Sequence, residues 1–522
     1  MPVRMEKDDP KGGNRRPDGP SNGGNPLAKW LPIILLFVFK KPKIAIPILI
    51  IGGLAYYLMG GNFAFNSSAA GGDEINASDY SLGASFNQAK YDTAQVFASL
   101  ATSYGNYNQI PARVSLEQYA PRRRHQGKQG SCVGWASAYS ARTILAARAS
   151  GQDPDRIAFS PAYLYNQIHL DGCEGAYMLD AMKAMRQNGA VPFNEFTYTD
   201  QTCSNYPDRG DISRGRQFTI KGYNRLTMGA NNYKVDVPAI KQNLAQGAPV
   251  VIGMMVGGTF MSRMMGQKLW RPTSSDYAQR GFGGHAMTVI GYDDNYNGGA
   301  LQIMNSWGEQ WGDRGNFWMR YQDFEHFTKE AYGLHPMGSA NETEKFDDSK
   351  IAVEFGLLNT EQRATIPLKQ INNLTFRTAQ PVGKGDKFKV LIANSIECNM
   401  YIFGQETDGS SYVLFPYTDK HSPYCGITGT RLFPQDYSMV PDEVGNRDYI
   451  AIVISKEELD YRAFNYELNR SRQSSYAAKL QETLAKYQPI QNVQYQSGNT
   501  ITFSADRNGQ NTVGMVIEID KR

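Results

Sequence analysis

The residues of this chain best placed to do chemistry lie in Gln-Gly-Lys-Gln-Gly-Ser-Cys-Val-Gly-Trp, residues 126–135, where Cys132 follows a Gly-Ser turn and heads a helix-like run over 133–149. A thiol at a helix N-terminus sits in the positive end of the backbone dipole, beside amide groups that have no partner inside the helix. Both effects favour thiolate, the form that attacks carbonyls. Such a nucleophile needs a base, an orienter for that base and donors for an oxyanion. His285, one of six histidines, stands in Gly-Gly-His-Ala-Met-Thr-Val-Ile-Gly-Tyr at the start of a strand-like run, and Asn305 follows 20 residues later in Asn-Ser-Trp-Gly. Adjacent antiparallel strands could set His285 and Asn305 side by side. His125 is too near Cys132 in sequence to fold back onto the thiol, and His169, His326, His335 and His421 lack partners at ligand spacing. Asp-Asp-Asn-Tyr-Asn-Gly at 293–298 begins like a calcium loop, but position twelve is Met304 rather than Glu, so we read a hairpin turn and expect no metal.

The elements that must hold these groups are legible in outline. Ser160-Pro161 is an N-cap followed by Pro at the first helical position, opening a helix to 170, and 177–187 reads as a second helix stopped by Asn188-Gly189. Residues 249–255, 286–291, 301–305 and 316–321 read as strands, so an α+β unit is expected over 109–337. The methionines between Met254 and Met265 are read as packing a core edge. From about 348 the texture turns to short strands around one charged helix over 461–486, which indicates a β-rich domain over 348–522. Residues 86–100 carry apolar side chains at roughly helical spacing and are read as one amphipathic helix within a linker over 66–108.

A length of 522 residues calls for more than one core, and a net charge of +4 spread over it leaves no nucleic-acid footprint. Residues 1–29 are rich in Gly, Pro, Asn and Arg and are expected to form a disordered cytoplasmic tail. In 30–65, a short apolar stretch (30–39) is read as interfacial. After Lys40, Lys41 and Lys43, an uncharged run at about 44–62 is long enough to span a bilayer. Basic residues before it and Asp73-Glu74 after it place the C-terminal bulk outside the cytoplasm, so a single-pass bacterial inner-membrane anchor with a periplasmic or extracellular catalytic domain is expected. Five cysteines fit either two disulfides and a free thiol or five reduced thiols.

Taken in order, Gln126-Gly-x-x-Gly-Ser-Cys132, Gly-His285-Ala and Asn305-Ser-Trp307-Gly resemble the three blocks of the papain-like cysteine peptidases, over roughly 109–337, and the Gly-Ser-Cys-Val variant resembles bacterial members. The resemblance implies a two-lobed fold, a helical left lobe and a β-rich right lobe, with no cofactor and a peptide or protein as substrate. It makes Cys132 the nucleophile, His285 its base, Asn305 the orienter, Trp307 a shield for that hydrogen bond, and Gln126 an oxyanion donor. An ion pair with His285 would then lower the thiol to roughly 3–4. Gly175 and Ala176 would form a ledge for extended peptide, with Tyr177, Met178 and Ala286 around an apolar S2 pocket. The family often has a cysteine where this chain has Gln129, and Cys173 lies in the segment whose usual partner is that cysteine. The pairing Cys173–Cys203 is expected instead. Residues 401–417 with 450–455 resemble an uncharacterised domain appended to bacterial peptidases and kinases, which suggests a module that binds a protein partner, its hairpin closed by Cys398–Cys425. The other readings are a non-hydrolytic envelope scaffold that holds peptides in the groove, and acyl transfer through the same nucleophile. Papain-like enzymes usually carry a long helical pro-segment, but only about 45 residues separate the expected span from 110, so inhibition is expected to be absent or to rest on the helix over 86–100.

Overall fold

Among the described residues, one large sheet lies in the peptidase half, beside a small two-stranded one, and two large sheets lie in the β-rich half. In the computed structural model residues 3–8, 80–101, 108–338, 340 and 349–521 are described. The expected span at 44–62, the interfacial stretch 30–39 and residues 66–79 of the linker lie outside them. Among the described residues no helix is long and apolar enough to cross a membrane.

The left part of the peptidase half is helical. The run behind Cys132 is continuous through Cys132–Gly134, Trp135–Arg142 and Thr143–Ser150, its middle stretch wound in wide π-type turns. Ser160 caps Pro161–Ile168 by accepting from the Tyr163 N–H, as its sequence position predicts. Met178–Gln187 buries one face and carries Asp180, Lys183 and Arg186 away from it. The right part is a seven-stranded sheet in which Val250–Val256, Gly283–Asp293, Ala300–Met304 and Asn316–Arg320 lie in order. Asn297 and Gly298 turn the hairpin at positive φ. Asp294 is taken by Lys241 and Tyr321, and Asp293 accepts from the Asn295 N–H, so the calcium-like residues serve the turn. Met261 and Met264 pack with Trp270 in the right-hand core, whereas Met265 is partly exposed.

The second half is a two-sheet sandwich. Along Cys398–Gln405, Met400 and Ile402 point into the core between the sheets, while Tyr401 and Phe403 point outward, beneath Phe464, Leu468 and Leu480. The single charged helix expected there is two, Tyr461–Arg470 and Tyr476–Leu484. The break falls at a serine-rich stretch in which Ser475 accepts from the Ala478 N–H and so restarts the helix.

Three further expectations are corrected. The helix over 86–100 is confined to Gln88–Tyr91, and beyond it the backbone is extended: Gln95 and Val96 bond to Arg225, Lys420 and Ser422, which replaces the bonds of a short helix that is marginal by itself. Within the tail expected to be disordered, Val3–Lys7 is a strand along Tyr437–Pro441. Cys398 and Cys425 are direct cross-strand neighbours, yet both are free thiols. Burial pushes both thiols up, so neither supplies the thiolate that disulfide exchange requires, and Cys425 donates to the Pro423 carbonyl. Cys173–Cys203 is bridged as expected.

Candidate active site

Cys132 enters from the left half and His285 from the right, and they meet where the first turn of the helix abuts the strand Gly283–Asp293. The Ala286 N–H donates to Cys132 Sγ at 3.4 Å. Three residues from His285 on the same strand, Thr288 Oγ1 donates to the Ala136 carbonyl at 2.9 Å. That bond ties the strand of the histidine to the helix of the cysteine. Nothing in the sequence singled Thr288 out beyond its place on an otherwise apolar strand.

The register of the hairpin sets the histidine's partners. Thr288 lies opposite Met304, so the chain leaving Ala300–Met304 passes under His285. There His285 Nε2 donates to Asn305 Oδ1 at 2.7 Å, and Trp307 stacks on the imidazole with ring centroids 4.4 Å apart. The Ser306 N–H also donates to Asn305 Oδ1, which fixes that oxygen as the acceptor. With its proton on Nε2, a neutral imidazole offers Nδ1 as the basic atom, and Nδ1 is buried without a hydrogen-bond partner. Gln126 is held from the other side, its Oε1 accepting from Ser306 Oγ at 2.6 Å. Its Nε2 donates to the Gln129 carbonyl at 3.0 Å and to the Ser81 carbonyl at 3.2 Å. Ser306 is thus a second positioning residue; its place in the Asn-Ser-Trp block was the available signal. His125 lies aside, accepting from the Gly127 N–H.

The Ser81 contact belongs to a larger feature: residues 80–86 lie in the cleft between the halves. Tyr80 stacks on Trp307 at 4.8 Å, and the Trp307 indole donates to the Ser81 carbonyl. The Gly83 N–H donates to the Gly284 carbonyl at 3.1 Å, and the Ala176 N–H to the Gly83 carbonyl at 2.9 Å. Ala84–Ser85 then pairs in parallel with Ala176–Tyr177. The Gly175–Ala176 ledge therefore holds extended peptide, and the peptide is the chain's own. Gly175 has φ of 148°, and a β-carbon on Gly83 would run into the Gly130 carbonyl, so both faces of this crossing need glycine. Phe86 fills the apolar pocket expected around Met178 and Ala286, its ring also against Gly253 and Gly284. Tyr177 lies at the pocket's rim, with Lys90 over its ring.

Covering the site sets its protonation. Burial pushes the Cys132 thiol up to about 12, although the Ala286 N–H pulls it down, and pushes His285 down to about 4 against the pull of Asn305. The thiolate–imidazolium pair is therefore replaced by a neutral thiol and a neutral imidazole. The first cause of both shifts is desolvation, since burial penalises the charged form of each group.

The stretch that carries this site is similar to known proteins. The family model described as papain family cysteine protease matches residues 110–334. Cathepsin B-like CP2 of Giardia intestinalis is 29% identical over 204 residues, covering 37% of this chain and 62% of the relative. A cysteine protease of Blomia tropicalis is 27% identical over 243 residues, covering 45% and 66%. The chain thus spans under two thirds of the length of these curated relatives. Among solved structures, xylellain, a cysteine protease from Xylella fastidiosa, aligns over 51% of this chain and 98% of its own at 22% identity, with a TM-score of 0.39. Over residues 110–334 this chain is similar to the papain family cysteine proteases.

Proposed function

We propose that this chain hydrolyses peptide bonds through Cys132 and that it is latent while residues 80–86 lie in the cleft. The observation that carries the reading is the Asn305 Oδ1–His285 pair with its partnerless Nδ1, the N–H of the adjacent Ala286 donating to Cys132 Sγ, and the Gln126 amide donating to a peptide carbonyl in the cleft. With the cleft open, Nδ1 takes the thiol proton and Sγ attacks the substrate carbonyl carbon. Gln126 Nε2 donates to the oxyanion, and the imidazolium returns its proton to the departing amine. Water, deprotonated by His285, then attacks the thioester carbon, and Sγ leaves as thiolate. Asn305 keeps the imidazole in the right tautomer throughout.

The test opens the cleft and removes the nucleophile separately. A chain carrying Phe86→Asp should cleave fluorogenic peptides and react with a thiol-directed inhibitor at Cys132, and Phe86→Asp with Cys132→Ser should do neither. Labelling without cleavage would move the assignment to peptide holding. Gln126→Ala in the opened chain should lower kcat by ~10²–10³, the usual cost of one oxyanion donor. A membrane tether at 44–62 with the peptidase outside the cytoplasm is proposed from sequence alone, on its uncharged run and flanking charges. Alkaline carbonate should leave the full chain in the membrane pellet and release a chain starting at 66; extraction of both would remove the tether.

A further inference from the structure

The sheet edge at Tyr437–Pro441 carries an added strand. Val3–Lys7 runs antiparallel along it, Val3 opposite Pro441 and Lys7 opposite Tyr437, and the Asp8 N–H continues the pairing onto the Asp436 carbonyl. Backbone pairing of this kind accepts many sequences, and side-chain sites select among them. Two such sites lie along the edge.

The first is an ammonium. The Lys389 side chain has no exposed surface, and its Nζ donates to the carbonyls of Pro434, Gln435 and Tyr437 at 2.6–2.9 Å. Its carboxylate partner is Asp8, with Oδ2 at 2.6 Å, while Ser438 Oγ donates to Asp8 Oδ1 at 2.6 Å. A buried ammonium needs such a counter-charge, because carbonyl dipoles alone do not repay its lost hydration. Lys387 and Glu6, 3.0 Å apart near the surface, add little.

The second is a cavity. Three residues before Asp8, Met5 stands at the mouth of a hollow of about 350 Å³ lined by Phe97, Met228, Phe415, Tyr417 and Phe433. Met5 is 41% exposed, so it leaves much of that space unfilled. The wall opposite is residues 96–99, which continue from the segment that blocks the cleft.

We propose that this edge binds an extended segment of a partner polypeptide with a bulky aromatic side chain and, three residues on, a carboxylate. Val3–Asp8 displays the chemistry the edge accepts and underfills its pocket. A partner segment would displace Val3–Asp8 from the edge, where Met5 leaves the pocket underfilled. The aromatic ring would sit among Phe415, Tyr417 and Phe433, and the carboxylate would take both bonds now made by Asp8.

The full chain carrying Asp8→Asn, which loosens its own strand, is titrated by fluorescence anisotropy with labelled decapeptides of residues 1–10. The probes are the parent sequence, a Met5→Trp version, and a Met5→Trp version that also carries Asp8→Asn. The Met5→Trp peptide should bind roughly tenfold tighter than the parent, and loss of its carboxylate should cost roughly tenfold or more. Lys389→Met in the chain should abolish the preference for Asp over Asn. No saturable binding, or equal affinity for all three peptides, overturns the site. Parent and Met5→Trp peptides binding equally while the Asn peptide fails would make the edge a seat for the chain's own N-terminus and overturn the partner. The peptide variants keep the test decisive if Lys389→Met does not fold.

Discussion

At the scale of residues, the proposed latency rests on one glycine and one pair of neutral groups. Gly83 passes so close to Gly130 that even a methyl group must displace it, which we expect to cost the blocked state ~1–3 kcal/mol. Gly83→Ala should therefore raise basal peptidase activity about five- to a hundredfold, read as initial rate on a fluorogenic peptide. An unchanged rate would mean that the crossing does not hold the cleft shut. The pH behaviour follows from counting protons. Blocked, the pair holds one proton, on a thiol raised to about 12, beside an imidazole lowered to about 4. Open, the ion pair holds one proton on the imidazolium, with the thiol at roughly 3–4. Between pH 5 and 8, on the order of the gap these values leave, opening exchanges no proton through this pair, and acid alone does not release it. Alkylation of Cys132 at about pH 5.5, followed by mass spectrometry, should be slow in the wild-type chain and fast in Gly83→Ala.

At the scale of elements, the strand Thr328–Leu334 carries a buried carboxyl under the leg of the blocking segment. Glu330 accepts from Tyr332 at 3.2 Å, and the Asn87 backbone N–H also lowers its affinity for a proton, but burial dominates and holds it at about 7. Tyr91, next to it, exchanges hydrogen bonds with both the N–H and the carbonyl of Ala331. A carboxyl whose folded pKa is raised favours the fold below its ordinary value of 4.5, and that contribution is lost as pH rises through 7. Glu330→Gln should stabilise the fold at pH 8, by on the order of 3 kcal/mol at the upper bound and seen as a raised Tm, and leave the Tm nearly unchanged at pH 4.5. A Tm gain of equal size at both pH values would remove the carboxyl as the cause.

At the scale of the molecule, the two halves share the segment that leads out of the cleft. Arg225 in the peptidase half bonds to Gln95 and Phe97, while Lys420 and Ser422 of the sandwich bond to Val96 from the opposite side. Arg431, with almost no exposed surface, donates to the Ala98 carbonyl and ties it to Asn394 and Ile427. Asp92 is drawn to about 2, first by Lys420 and then by Tyr233. The sandwich therefore grips what blocks the peptidase. Lys420→Ala removes an open, solvated ion pair worth at most ~1 kcal/mol and should change basal activity less than fivefold. Arg431→Met strands buried carbonyls and should raise both activity and hydrogen exchange at 95–101 by an order of magnitude or more. Equal effects from the two variants would remove the buried arginine as the holding group.

The sequence by itself determined the parts whose signals are local. Gln126 and Cys132 share one turn, and a hairpin of 20 residues is enough to bring Asn305 to His285. Only the tertiary structure decided the rest. Helical spacing over 86–100 gave way because its backbone found partners at Arg225 and Lys420, more than 120 and 320 residues away. Cys398 and Cys425 met as expected but are not bridged, and both are buried. The burial that pushes the Cys132 thiol up is likewise not legible in the chain: a thiol's neighbours in sequence can be read there, but desolvation belongs to the folded whole.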